Sequence, residues 1–203
     1  MEPMGNPLVV LILSGKRKSG KDYVASYIQE SLGDKCVIMR LSAPLKTQYA
    51  KDHGLDVERL LDASEYKEKY RKDMIQWGEE MRRIDSGYFC LLAIQQVSDY
   101  DRYPVWLISD GRRPSDLIYF QTRYPTVTIR ICASEATRMS RGWVYTVGVD
   151  DVESECALDG IAQWDFIVHN DADKEQLESH FEPLLCKIRG HIANGIRWEK
   201  EII

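Results

Sequence analysis

Five stretches of the chain are largely apolar without strict alternation: residues 8–13, 36–41, 105–108, 127–132 and 165–168. Short apolar runs of that kind mark strands covered on both faces, as in a parallel sheet, whereas half-exposed antiparallel strands alternate. Between them lie helical patterns over residues 22–32, 43–98, 115–123, 133–139 and 174–193. Strand alternating with helix predicts a three-layer α/β domain. No repeat, low-complexity segment or linker rich in Gly, Ser or Pro divides residues 1–203, so one domain is expected. Residues 43–98 separate the second strand from the third and must fold as a helical subregion beside the sheet, a place for a second substrate.

The first strand runs directly into "SGKRKSGKD". Gly15, four residues, then Gly20 and Lys21 give the spacing of the phosphate-cradling loop, with Asp22 where Ser or Thr is usual. Strand before and helix after are the context the loop requires: the glycines let the backbone turn its N–H groups inward, and the helix points its positive end at the phosphates. Lys21 is placed to reach the β- and γ-phosphates. A bare strand–turn–helix with two turn glycines is the structural alternative. Asp22 is either a hard oxygen ligand for Mg²⁺, direct or through water, or an acid stabilising the first helical turn. In the first case Lys16, Arg17 and Lys18 offset its added charge.

Charge and composition narrow the choice. The net charge is −5, which argues against broad nucleic-acid binding, and the basic residues cluster locally as Lys16-Arg17-Lys18, Arg82-Arg83 and Arg112-Arg113. That distribution suits a small anionic ligand. The longest wholly apolar run, residues 8–13, is far short of a membrane span, and residues 1–7 do not resemble a secretory signal, so an intracellular protein is expected. Five single cysteines form neither a disulfide framework nor a zinc pair and are expected to be mostly reduced and buried.

Further charged residues are candidates for the same chemistry. In "WLISDGRRPSD" Asp110 follows a buried strand, where ligands gather in open α/β sheets; it could hold a magnesium-bound water, or Asp110 and Asp116 could simply cap a turn. Arg112 and Arg113 suit bidentate grip on phosphate. Arg138 and Arg141, three apart, share one face if helical, and the Gly142–Gly148 and acidic stretch after them suits a lid; a solvated helix end is the alternative. Lys46, Lys67, Arg71 and Arg82 are candidate anion ligands, each open to being a solvated helical face. Trp77, Tyr88 and Phe89 suit core positions. Asn170, after the fifth strand, either contacts ligand or caps the last helix.

Taken together, "SGKRKSGKD", "RLSAPLKTQYA", "YKEKYRKDMIQWGEE", "WLISDGRR" and "SRGWVYTVGVDDVESECALD" resemble the animal-type phosphomevalonate kinases, over about residues 8–190. The resemblance implies a P-loop fold of the nucleoside-monophosphate-kinase kind: a five-stranded parallel sheet, a substrate-binding insertion over about residues 43–98 and a lid over about 138–158. It implies ATP-dependent phosphorylation of (R)-5-phosphomevalonate to (R)-5-diphosphomevalonate, with Mg²⁺, in isoprenoid and sterol synthesis. Carried over by position, Gly15, Lys16, Arg17, Lys18, Ser19, Gly20, Lys21 and Asp22 hold ATP–magnesium, with Arg141 and Asn170 beside them. Lys46, Lys67, Arg71, Arg82, Arg112 and Arg113, with Asn170, face the acceptor. Lys21, Asp22, Arg113 and Arg141 act on the transferring group, and Asp22 and Asp110 serve the metal.

Two rivals share these features. A nucleoside or deoxynucleoside monophosphate kinase has the same architecture but needs a base pocket in the insertion. A non-catalytic nucleotide-binding protein has no use for so many cations on the acceptor side. The chain ends "RWEKEII", unlike the peroxisomal tripeptide of some relatives, so a cytosolic monomer is expected, its only partner a small-molecule substrate. The tail from Gly190 is expected to be peripheral to function.

Overall fold

The structure, a computed structural model, describes residues 5–61 and 65–199. Its centre is β1 (Val9–Ser14), buried at every position and paired in parallel with β3 (Val105–Ile108) on one side and β4 (Thr126–Cys132) on the other. Leu11 lies opposite both Leu107 and Val127. β2 (Cys36–Met39) and β5 (Phe166–His169) complete an all-parallel sheet of order β2-β3-β1-β4-β5. Chain order reverses beside β1, so the loop leaving its carboxyl end opens into the crevice where such sheets bind ligands.

Because strand side chains alternate, β1 supplies both layers of core. Val9, Leu11 and Leu13 pack against Val24, Ala25 and Ile28 of α1 (Lys21–Leu32) and Phe181, Leu184 and Ile188 of α9 (Lys174–Asn194). Val10 and Ile12 face Ala93 and Ile94 of α5 (Tyr88–Gln95) and Leu117 and Phe120 of α6 (Pro114–Gln121). The two edge strands depart from the expected double burial: Ile167 in β5 is half exposed, since an edge has no neighbour beyond it. β2 also stops at Met39 rather than residue 41, because the next turn leads into α2 (Ser42–His53).

Residues 43–98 are helical but broken. Gly54, left-handed at φ 63, ends α2. α3 (Val57–Leu61), α4 (Glu65–Ile84) and α5 follow, and α2 to α4 enclose their own small core of Tyr49, Ala50, Leu60 and Met74. Phe89 is buried, while Trp77 packs against that small core with part of its surface free. All five cysteines are free thiols, but only Cys36 and Cys90 are buried; Cys186 is exposed on α9, which corrects the expectation for most of the set. Beyond α9 the chain returns to the sheet, where Trp198 donates its backbone N–H to the Leu8 carbonyl at 2.9 Å.

Phe181 tests the packing of α9. It is 1% exposed and meets Tyr27 of α1 edge-on at 6.4 Å. Phe181→Ala is expected to lower unfolding free energy by about 3–5 kcal/mol, read from urea denaturation.

Candidate active site

The loop between β1 and α1 is shaped by backbone that side chains would obstruct. A Cβ on Gly15 would stand 2.6 Å from the Ile131 carbonyl oxygen, and one on Gly20 only 2.1 Å from Asn170 Nδ2. Gly20 is also left-handed, at φ 94, and offers α1 no side-chain cap. The helix therefore starts with its first N–H groups turned to the loop interior, ready for an anion. Ser19 Oγ, buried in the loop, has no hydrogen-bond partner. Lys21 is buried too: desolvation, then the Arg112 charge, push its ammonium below the ordinary 10.5, against the pull of Asp22, Glu155 and Asp110.

Residues remote in sequence hold this loop. Asn170, buried after β5, donates from Nδ2 to the Ser19 carbonyl at 2.8 Å. Arg141 donates to the Ser19 carbonyl at 3.2 Å and the Asn170 carbonyl at 2.9 Å. Arg138 donates from Nε to the Arg17 carbonyl at 2.8 Å, its guanidinium stacked 3.9 Å from the Trp143 ring centroid. Arg138 belongs to α7 (Glu135–Ser140), whereas Arg141 lies just past its end; both reach the loop all the same. α7 is tied to the β5 end by Asp171, whose carboxylate is held down at about 2 by donation from the Thr137 hydroxyl and from Ser134.

A cavity of about 160 Å³ lies beside the loop, between α2, α4 and the carboxyl end of β3, and Lys46, Arg71, Arg82, Asp110, Arg112 and Arg113 all line it. Lys67 belongs to α4, but its side chain lies outside the described residues. Asp116 organises the cations: its Oδ2 accepts the backbone N–H groups of Arg112 and Arg113 at 3.0 Å each, and Oδ1 lies 4.0 Å from Arg82 Nε. Arg82 also stacks on Phe89 at 4.7 Å. Even so, Arg82 Nε and Arg113 Nη1 are buried without a hydrogen-bond acceptor. These N–H groups retain hydrogen-bonding capacity for an anion although each guanidinium already has an acidic partner, Asp116 for Arg82 and Glu79 for Arg113.

Asp110 takes the capping role: Oδ1 and Oδ2 accept the backbone N–H groups of Leu41 and Ser42, at 2.6 and 3.0 Å, at the start of α2. Asp22 is exposed on the first turn of α1. Among the described residues no three acidic, His or Cys groups cluster for a metal. The donor set therefore fits Mg²⁺ only in the way that ion is usually held beside phosphates, through one or two carboxylates, water and the ligand's own oxygens.

The loop cations depart from expectation. Lys16 pairs with Asp159 at 2.6 Å and Arg17 with Asp150 at 2.8 Å, so their charge is met by residues 150–159 rather than by Asp22; Lys18 is exposed. Arg112 and Arg113 pair with Glu155 and Glu79. These four carboxylates were absent from the sequence-derived set. The acidic run at 150–155 was the available signal, but nothing local names the arginine each acid will meet.

A profile of the family described as Phosphomevalonate kinase matches residues 13–126. A phosphomevalonate kinase from Drosophila melanogaster is 42% identical over 171 residues, covering 82% of this chain and 90% of that one. Among solved structures, a gluconokinase from Sinorhizobium meliloti 1021 aligns with a TM-score of 0.53 at 11% identity, over 94% of this chain and 98% of that chain. TT1252 from Thermus thermophilus aligns with a TM-score of 0.52 at 14% identity, over 90% and 98%. At such identities the two structures show a shared fold alone.

Two outcomes check the loop and its anchor. Gly20→Ala, strained at positive φ and pressed against Asn170, is expected to weaken nucleotide binding about tenfold or more by titration calorimetry; unchanged affinity removes the loop from the site. Asp171 has a depressed folded pKa, so its contribution to stability is present above the ordinary 3.8 and is lost as pH falls toward about 2. The gap in urea midpoint between the parent and Asp171→Asn should therefore close over that interval, and a pH-independent gap contradicts the assignment.

Proposed function

The chain belongs to the phosphomevalonate kinase family and is a kinase that phosphorylates 5-phosphomevalonate, and we propose that ATP supplies the phosphoryl group as its magnesium complex from loop 15–21. On this reading (R)-5-phosphomevalonate occupies the neighbouring cavity, α2 to α5 form the acceptor-binding insertion, and residues 138–158 are a lid. The products are (R)-5-diphosphomevalonate and ADP, in isoprenoid and sterol synthesis. No described helix is long and apolar enough to cross a membrane, and we assign the enzyme to the cytosol as a monomer.

The observation that carries the acceptor assignment is the pair of buried, unsatisfied guanidinium N–H groups, Arg82 Nε and Arg113 Nη1, beside the cavity. A phosphate monoester, dianionic above its second pKa of about 6, is the anion that completes them. Its attacking oxygen is already deprotonated at neutral pH, so the reaction needs no general base. What opposes it is repulsion between two polyanions brought to reacting distance. Lys21 and the α1 N-terminus take charge on the donor side, and Arg112 and Arg113 take it on the acceptor side. Arg141, anchored through Ser19 and Asn170, would act from the donor side of the transferring group. Asp22, exposed on the first turn of α1, would hold Mg²⁺, and Asp110 would reach it through water. Held there, the ion would supply positive charge that offsets the repulsion between the two phosphorylated substrates.

Magnesium-dependent ADP release is the test, with 5-phosphomevalonate, mevalonate and nucleoside monophosphates offered separately as acceptors. Turnover with 5-phosphomevalonate alone is expected; turnover only with a nucleotide acceptor overturns the substrate assignment. Lys21→Met and Arg141→Ala should each lower kcat about a hundredfold or more while leaving the protein folded by circular dichroism.

A further inference from the structure

Three acids in or directly after the lid meet the basic residues around the loop, and their partners set one of them apart. Asp150 holds Arg17 but is also bound by the Trp143 indole at 3.0 Å and the Thr146 backbone N–H at 2.9 Å, so it has work within the lid itself. Asp159 is exposed and is shared between Lys16 and Arg130. Glu155, on α8 (Glu153–Cys156), is buried, and both of its partners belong to the phosphate-binding groups. Its Oε2 accepts the Arg17 backbone N–H at 3.1 Å, and its Oε1 accepts from the Arg112 guanidinium. One carboxylate thus spans the donor loop and the acceptor cavity, which it lines.

A loop amide and a guanidinium are the donors that phosphate oxygens take. Buried cations left without a counter-anion are costly, so in the absence of ligand some anion must sit among them. A carboxylate and a phosphoryl group cannot hold the same two donors at once, because like charges at contact distance repel strongly where water is scarce.

We propose that Glu155 is a specificity-determining residue that acts as a built-in phosphate surrogate, bridging loop and cavity until the phosphates of the two substrates displace it and α8 together. The assignment of loop and cavity to phosphates rests on the proposed function above. The surrogate discriminates by valence and size. An anion with only a few oxygens, such as inorganic phosphate or pyrophosphate, gains too little to expel it, whereas the donor and acceptor together make enough contacts to do so. Glu155 thereby keeps the strongly cationic site from filling with small anions between turnovers.

Titration calorimetry of the full-length protein with inorganic pyrophosphate, without nucleotide, is the decisive measurement. Glu155→Gln keeps the side-chain volume and an acceptor oxygen but removes the charge, and is expected to tighten pyrophosphate binding about tenfold, equivalent to about 1.4 kcal/mol. Glu153→Gln, on the same short helix but exposed, should leave the affinity unchanged. Pyrophosphate affinity in Glu155→Gln equal to or weaker than that of the parent overturns the proposal, since it makes Glu155 a brace for Arg112 and no more. Hydrogen exchange on the parent protein gives a readout that needs no variant to fold. Saturating ATP plus 5-phosphomevalonate should speed exchange of the amides of residues 153–156 relative to the amides of β3; slowed or unchanged exchange there counts against displacement. Parent turnover is assayed alongside: tighter pyrophosphate binding by Glu155→Gln in a protein that does not phosphorylate 5-phosphomevalonate upholds the surrogate while overturning the substrate.

Discussion

Everything in this molecule depends on β1 being held between β3 and β4. Six buried residues with a parallel neighbour on each side fix the height and direction at which the chain leaves the sheet. That exit is where the glycine loop turns, where α1 begins, where the end of β3 delivers Asp110 and where the chain leaving β4 enters α7. The hydrophobic layers on both faces hold the strand rigid, and a phosphate site needs that rigidity because it acts by pre-placed donors, not by mobile ones.

The second constraint is charge. A site for two phosphorylated substrates must concentrate cations, and several of these are buried enough that water cannot screen them. Two acidic sets resolve the conflict differently. Asp116 lies behind the arginines, taking the backbone N–H groups of Arg112 and Arg113 and standing 4.0 Å from Arg82. It orients the cations while leaving guanidinium N–H groups for ligand. Glu155, Asp150 and Glu79 instead pair directly with the guanidiniums of Arg112, Arg17 and Arg113.

Much of this was legible in the sequence. Largely apolar runs marked all five strands, most clearly the central ones, where double burial leaves a composition signal, and Gly15, Gly20 and Lys21 declared the loop because its backbone tolerates so few residues. The candidate anion ligands were nameable from their charge, and five of the six, Lys46, Arg71, Arg82, Arg112 and Arg113, line one cavity. The roles of the acids were not legible. That Asp110 accepts the Leu41 amide is decided by the turn after β2, 69 residues away along the chain. Glu155 stands in an acidic run whose members look alike until the fold assigns each a partner. The exposed edge of β5 was hidden for a similar reason, since strand order is a tertiary property.

The clamp on the glycine loop also has a temporal side. The loop is complete by residue 21, but the side chain that closes over it, Asn170, comes from after the last strand, 151 residues away from the Ser19 carbonyl it binds. Contacts of such separation form late, once the intervening chain has condensed. On the ribosome, a chain extended through β4 would already carry the glycines, Lys21 and most of the cations, yet without β5 its loop would lack the groups that set its shape. The final shape of the loop thus waits on the last strand, and a chain without β5 holds the glycines without the Asn170 amide that closes over them.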